Sequence, residues 1–480
     1  MFKKIKELLL TNKSTKQTIV KNTFWLSTTT IAGRILRGLV ILYAARKLGA
    51  EGYGLFSYAL SVAGFFSVFS DIGLSSLITR EKTRNPEHVK PYLATAFAIK
   101  IVLLIFSIIL TVFVAPHFSN IPEARPLVML VAILIAFDSL RGFGISIFRA
   151  ENKMQREALY SSIADTGITV FSALALFYVP SPMFLTIAYT AGSGIGTIAT
   201  FWKLRHEFKS IFSYYNKNLL NEIFQSAWPF AIMSMLGGFM INIDTLVIGW
   251  FRNAHDLGIY GVAQRPVQLL YLVPGFVATS IFPFLTKFVQ EGKKEDIEKI
   301  INKSIGLVFM VGIPIIVGGV IVAKQFIPFF FGPGYEDAIL PFQILLITFL
   351  FVFPGNVIGN AIFAYNRQKI FIKSALGGAV LNTGLDIFLI PTCGIAGSAV
   401  ATLISQIFTN GVNCFELKKI NPFKITEYLP WTLSATALMG IVTYFLNTNG
   451  VHILITLSVA IIIYGLTILP LFIKKRLWKF

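Results

Sequence analysis

The sequence predicts an all-α polytopic membrane protein with about 14 transmembrane helices, arranged as two parallel six-helix lobes followed by two C-terminal helices. Three observations predict this fold class: the composition, the apolar segments and the one-sided distribution of basic residues. Of the 480 residues, 55% are hydrophobic and only 14% are charged, whereas soluble domains have roughly 25% charged residues. Together with the mean hydropathy of +0.71, this composition indicates that lipid is the solvent for most of the chain.

The helical spans follow from the lengths of the apolar segments. A helix needs about 20 mostly apolar residues to cross the hydrocarbon layer. Segments of this kind recur along the whole chain, near residues 19–45, 53–79, 90–114, 125–149, 158–179, 183–203, 222–250, 257–286, 304–323, 338–365, 370–391, 395–415, 428–446 and 452–473. The second and eighth segments are long enough to be tilted or broken, and Pro274 is placed to kink the eighth.

The basic residues predict the orientation. The chain has 42 Lys and Arg and a net charge of +19. Every second loop is basic, beginning with the N-terminal segment and ending with the C-terminus. The opposite side holds only Arg46, Lys47, Arg125, Arg252 and Lys324. Because cytoplasmic loops carry the Lys and Arg excess, both termini are expected in the cytoplasm and the chain in the plasma membrane. The charge is then an orientation signal, and nucleic acid is not an expected partner.

The chain also resembles itself, which predicts its domains. Trp25 matches Trp228, and the pair Tyr53-Gly54 matches Tyr260-Gly261. Each half then has six spans, so the halves share one topology, as in transporters built from parallel repeats. The predicted parts are a cytoplasmic N-terminal segment suited to an interfacial helix, an N-lobe, a cytoplasmic linker, a C-lobe and two added spans, at residues 1–18, 19–204, 205–221, 222–416 and 428–473.

The first span contains two arginines near its middle. Ser27, Thr30, Arg34 and Arg37 follow one another at helical spacing and form one polar stripe. A charged residue at mid-span costs about 2.5–3.5 kcal/mol on the insertion scale and usually faces a cavity or a partner. Arg34 and Arg37 have no acidic residue three or four positions away in their own helix. We therefore expect them to line a polar cavity that holds an anionic cargo.

Other charged residues inside the spans leave two roles open. Arg141 is a candidate for substrate binding or for an ion pair with Asp138, three residues before it. Lys100 is expected to pair with a neighbouring aspartate or to reach towards the membrane surface. The aspartates are candidates for counter-ions or for ion-coupling sites, and they are Asp71, Asp138, Asp165 and Asp244. Arg265, in the eighth span, is a further candidate for substrate binding.

Several kinds of chemistry have no signature here. The sequence has no GxxxxGK[ST] loop for a nucleotide-hydrolysing motor. Its five histidines are scattered without the spacing of a metal site. The loops on the outer side are too short for a catalytic domain. The sequence therefore predicts a protein that is not an enzyme, with no cofactor and no metal.

Three stretches carry a resemblance to a known family. "GRILRGLVILYAARKLGAEGYGLFSYALS", "FSDIGLSSLITRE" at 69–81 and "YGVAQRPVQLLYLVPGFVATSIFPFLTKF" at 260–288 resemble the oligosaccharide flippase (polysaccharide transporter) family. Its superfamily also contains multidrug and toxin extruders and lipid II flippases. The resemblance implies export of undecaprenyl- or dolichyl-linked sugar units through a cationic central cavity. It places Arg34, Arg37 and Arg265 at cavity-lining positions of such flippases.

The resulting hypothesis is a transporter that flips a polyprenyl (pyro)phosphate-linked oligosaccharide to the outer leaflet by alternating access. Its expected partners are the lipid-linked oligosaccharide, membrane lipid, and the glycosyltransferases and polymerase of the same pathway. Two alternatives stay open at this stage. A drug or cation antiporter of the same superfamily would depend on the aspartates more than on the arginines. A membrane glycan polymerase or ligase would need an external catalytic loop, which the sequence does not contain.

Overall fold

Most of the described chain forms long apolar helices. This is expected in lipid, which offers no hydrogen-bond partners, so the backbone groups must pair within the helix. The computed structural model describes residues 15–84, 89–209 and 211–474. Within these residues, twelve helices are long and apolar enough to cross a membrane. Two of them, Phe24–Ser70 and Gln368–Ile420, each overlap two predicted spans. Every one of the fourteen predicted segments therefore overlaps one of these helices, and the all-α polytopic fold is confirmed. The predicted interfacial helix in 1–18 lies mostly outside the described residues.

The chain divides into two compact units, Met1–Gly258 and Ile259–Phe480. The first contains α1 (Thr15–Ser67), α2 (Leu74–Arg84), α3 (Val89–Ile109), α4 (Arg125–Ala150), α5 (Met154–Tyr178), α6 (Pro182–Phe208) and α7 (Leu219–Phe251). Helix α8 (Ala254–Leu270) begins in the first unit and ends in the second. The second unit continues with α9 (Leu272–Gln290), α10 (Lys294–Phe331), α11 (Ile339–Ile347), α12 (Phe349–Ala364), α13 (Gln368–Ile420), α14 (Leu429–Thr448) and α15 (Ile453–Lys474). The lobe boundaries given by the repeat stay a prediction.

Two glycines divide the two longest helices. Gly49 in α1 has φ 67° and Gly394 in α13 has φ 62°. Left-handed φ values are readily adopted only by glycine, so each residue makes a sharp bend between two spans without a loop. The second predicted span is also broken after residue 70, because Ile72 and Gly73 have φ values of 40° and 79°. The eighth is interrupted at Tyr271, between α8 and α9, three residues before Pro274.

An aromatic cluster lies in the core of the first unit. Phe97 of α3 contacts Phe143 of α4 and Phe208 of α6, with ring centroids 5.3 and 4.9 Å apart. Such pairs are worth roughly 0.5–1.5 kcal/mol beyond the area they bury. Buried apolar side chains from α2 and α7 join the same core. This core fixes α4, which carries four residues of the candidate site.

The two C-terminal helices pack on α10 in the second unit. Tyr464 of α15 donates a hydrogen bond to the carbonyl of Met310 at 2.6 Å. Just before α14, Glu427 accepts one from Asn302 at 2.9 Å. Away from these contacts large apolar side chains stay exposed, for example Phe388 at 74% and Ile461 at 72%. Surfaces of this kind are tolerated in lipid but not in water.

Candidate functional site

A polar cavity of about 280 Å³ lies within the first unit. Its walls come from α1, α4 and α5. Its lining residues are Leu26, Thr29, Thr30, Gly33, Arg34, Arg37, Asp138, Arg141, Gly142, Ile145, Glu157, Ala158, Ser161 and Asp165. The set contains six charged side chains and no aromatic ring, so its chemistry suits a charged group rather than an apolar one.

Helix α1 presents two arginines to this cavity. Arg34 and Arg37 are one turn apart, and Thr30 lies one turn before Arg34 in the same wall. This is the predicted polar stripe, although Ser27 is not among the lining residues. Arg34 is exposed, and the part of the chain that the structure describes places no carboxylate oxygen within 4 Å of it. Its guanidinium group therefore has donors available for an anion.

Arg37 is paired with Asp165 of α5. Its Nε and Nη2 donate to the same carboxylate oxygen, Oδ1, at 2.9 and 2.6 Å. The close approach depends on Gly33, because a Cβ atom there would overlap the other carboxylate oxygen, Oδ2. The Arg37 side chain is 38% exposed and that of Asp165 only 9%. Arg37 therefore has a counter-ion and still reaches the cavity.

Arg141 and Asp138 form the i,i+3 ion pair that their spacing allows. Arg141 Nη2 lies 2.5 Å from Asp138 Oδ1. The same oxygen accepts a hydrogen bond from Ser193 of α6, also at 2.5 Å. Two donors from two helices thus hold this carboxylate, and the roles of Asp138 as counter-ion or ion-coupling site stay predictions.

Glu157, in the first turn of α5, is a lining residue that the sequence prediction omitted. Its two carboxylate oxygens accept from Arg149 Nη2 at 2.5 Å and Nε at 3.2 Å. This is the fork geometry of a bidentate pair. Glu157 directly precedes the predicted fifth span, 158–179, so hydropathy assigned it to a loop. The sequence feature that could have predicted the pair is the spacing of eight residues between Arg149 and Glu157, across a tight turn.

The cavity lining has three arginines and three carboxylates, and Arg149, which pairs with Glu157 from outside the lining, adds one further positive charge. Arg37, Arg141 and Arg149 each face one carboxylate, those of Asp165, Asp138 and Glu157. Arg34 is the one cavity arginine without a carboxylate partner among the described residues. The excess positive charge is therefore local to Arg34, with Arg37 one turn away.

Three predicted site residues lie outside this cavity. Asp71 pairs with Lys100 of α3 at 3.2 Å, which confirms the pairing expected for Lys100. Asp244 is buried in α7, with 2% of its surface exposed. Arg265 lies in the second unit, in α8, where its Nη1 donates to Gln268 at 3.3 Å. Within the described residues, no group of three His, Cys, Asp or Glu is arranged to hold a metal ion.

Comparison with known proteins gives relatives over most of the chain. The "Probable low-salt glycan biosynthesis flippase Agl15" of Haloferax volcanii is 25% identical over 452 residues, 90% of each chain. The "Capsular polysaccharide biosynthesis protein CapF" of Staphylococcus aureus is 22% identical over 396 residues, which cover 81% of this chain and 96% of that protein.

Solved structures show the same fold. The lipid II flippase MurJ, in its inward closed conformation, aligns with a TM-score of 0.72 at 20% identity. The alignment covers 93% of this chain and 98% of that one.

Two family patterns match the sequence. The MatE pattern matches residues 229–388. The pattern described as "Polysaccharide biosynthesis protein" matches residues 19–289, more than half of the chain, including every residue that lines the cavity. The predicted resemblance is confirmed, and the chain belongs to the polysaccharide biosynthesis protein family.

Proposed function

We propose that this chain flips an oligosaccharide linked to a polyprenyl phosphate or pyrophosphate from the cytoplasmic to the outer leaflet by alternating access. The transported unit serves the assembly of a surface polysaccharide or glycan. Family membership supports the class of cargo. The observation that carries the proposal is a cavity inside a bundle of membrane helices, with the available guanidinium group of Arg34 in its wall.

The chemistry of the cavity fits the phosphate part of such a cargo. A guanidinium group offers a planar fork of donors that binds phosphate oxygens and keeps its charge when partly dehydrated. Arg34 would make the first contact, and Arg37 and Arg141 would lie beside it. Arg265 stays proposed as a substrate-binding residue. The prenyl tail would stay in lipid.

The direction of transport follows from charge. With the termini in the cytoplasm and an inside-negative potential across the plasma membrane, moving a negative group outward is favourable by about 2.3 kcal/mol per charge per 100 mV. The paired aspartates are proposed as counter-ions of the arginines. Glycosyltransferases would supply the cargo on the cytoplasmic side, and a polymerase would use it on the outer side.

The test is flipping of a fluorescent polyprenyl-pyrophosphate-linked sugar in proteoliposomes. We expect the double variant Arg34→Ala with Arg37→Ala to lose nearly all activity. Arg205→Ala serves as the control, because Arg205 lies at the end of α6, outside the cavity, and stacks on Trp202. Normal flipping by the double variant would contradict the proposed role of the arginines.

The MatE match over 229–388 favours one alternative, a drug or cation antiporter. This activity would depend on Asp138 and Asp165 rather than on the arginines. Efflux of a cationic dye from the same proteoliposomes separates the two. Dye efflux that survives loss of Arg34 and Arg37 but not loss of the aspartates, with no flipping of the lipid-linked sugar, would replace our proposal by this one.

A further inference from the structure

The three ion pairs around the cavity are not equivalent. The Asp138 carboxylate is held by donors from two helices, and the Glu157 carboxylate by both sides of the Arg149 fork. The Asp165 carboxylate accepts hydrogen bonds only from Arg37, among the residues that the structure describes. Both of these bonds end on Oδ1. The Arg37–Asp165 pair is therefore the easiest of the three to exchange.

The surroundings of Asp165 also permit exchange. Its second oxygen, Oδ2, lies against Gly33, where no side chain holds it. Asp165 itself lines the cavity, so a rotated carboxylate would stay in contact with a polar space. Arg34 lies one turn from Arg37 on the same wall and has no carboxylate of its own. An anion bound at Arg34 is therefore close to the guanidinium group of Arg37, which is now paired with Asp165.

We propose that Asp165 is an internal ligand of Arg37 that an anionic cargo must displace. The anion first binds Arg34, then replaces Asp165 on Arg37, and the carboxylate turns into the cavity. When the cargo leaves, the carboxylate returns to Arg37 and prevents the anion from rebinding there. This inference rests on the proposed function, because it describes how the same site holds and releases a phosphate group.

The exchange has a purpose in transport. A permeation site must bind well enough to be occupied and weakly enough to be vacated. Two free arginines one turn apart would hold a pyrophosphate group tightly. A carboxylate that competes for one of them lowers the affinity without removing the donors.

The experiment measures binding of inorganic pyrophosphate to the purified full chain by isothermal titration calorimetry. We expect Asp165→Asn to bind about tenfold more tightly than the wild type, the effect of about one gained charge-assisted hydrogen bond. In an Arg37→Gln background, the same substitution should change the affinity little. Glu157→Gln also removes one negative charge from the wall but frees Arg149, which does not line the cavity, so it should tighten binding much less.

A second route displaces the carboxylate by steric overlap and keeps its charge. Gly33→Ala places a Cβ atom on Asp165 Oδ2, whereas Gly38→Ala, in the same helix α1 but outside the cavity lining, meets no atom within 4 Å. We expect tighter pyrophosphate binding for the first and no change for the second. This pair of variants also serves if Asp165→Asn does not fold.

Any one of four results would overturn the inference. They are weaker or unchanged binding in Asp165→Asn, equal tightening in the Arg37→Gln background, equal tightening by Glu157→Gln, and absence of pyrophosphate binding in all variants. Failure of the proposed function is separate and would appear as absence of lipid-linked sugar flipping by the wild type, whatever its affinity for pyrophosphate.

Discussion

Variants of Asp71 distinguish between two proposed roles of this residue, a counter-ion and an ion-coupling site. Its carboxylate lies 3.2 Å from the ammonium group of Lys100, whose side chain is fully buried, while the Asp71 side chain is 31% exposed. Asp71 also accepts hydrogen bonds from the backbone N–H of Ser75 at 3.0 Å and from its hydroxyl at 2.5 Å. Asp71→Asn removes the charge and keeps one acceptor oxygen; because the two Ser75 bonds end on different carboxylate oxygens, the amide nitrogen replaces the acceptor of one of them.

The expected loss follows from this burial. Removing one partner of a fully buried ion pair costs about 3–5 kcal/mol. Because water reaches part of Asp71, we expect about 2–3 kcal/mol for Asp71→Asn, which leaves the Lys100 charge buried. At about 2–4 °C per kcal/mol, the thermal midpoint in detergent should fall by roughly 4–12 °C. Lys100→Met should cost less, since Ser75 and water still stabilise the carboxylate.

The double variant Lys100→Met with Asp71→Asn decides the role of Asp71. It leaves no unpaired charge, so we expect most of the wild-type thermal midpoint to return. If Asp71 is only a counter-ion, flipping in proteoliposomes should return with it. A stable double variant that does not flip would assign ion coupling to Asp71. A wild-type midpoint in Asp71→Asn alone would refute the reasoning that burial of Lys100 sets the cost.

Two further predictions concern stability. Gly192→Ala places a Cβ atom on the backbone of α5 and should lower the thermal midpoint by the equivalent of about 1–3 kcal/mol. The control Gly237→Ala meets no atom within 4 Å and should leave the midpoint unchanged. Equal midpoints for the two variants would contradict the close packing of α6 on α5. Burial raises the pKa of Glu151, but Lys153 and Lys82 lower it by more, so the net pKa lies below its usual range. A carboxylate with a lowered pKa stabilises the fold above about pH 4.3. Glu151→Gln should therefore lower the thermal midpoint at pH 7, and its difference from the wild type should disappear as the pH falls below 4. A difference that does not change with pH would contradict this prediction.

The fold was predictable because one physical constraint dominates it. Apolar segments long enough to cross lipid must be helical, and their order along the chain is visible in the sequence. Helix ends were less accurate: the ninth predicted span, 304–323, is the central part of α10, Lys294–Phe331. The first turns of α10 are helical but polar, so hydropathy, which detects only apolar segments, does not predict where this helix begins.

The site was predictable only where the spacing is local. Asp138 and Arg141 are three residues apart in one helix, so their pairing follows from helical geometry. Arg37 and Asp165 are 128 residues apart and lie on different helices. The sequence indicates that Arg37 and Asp165, as charges within membrane spans, each need a partner. Which partner each has depends on how α1 packs against α5. Gly33, which admits the carboxylate, becomes meaningful only once that packing is known.

The same constraint explains why Arg34 is informative. Charges within membrane helices are costly and are normally compensated, and the neighbouring cavity arginines Arg37 and Arg141 each have a carboxylate. Arg34 lies one turn from Arg37 on α1 and, among the described residues, has none. An uncompensated guanidinium group raises the free energy of the empty cavity, and an arriving anion lowers it again. Among the three arginines that line the cavity, Arg34 is therefore the one expected to contribute most to binding the cargo.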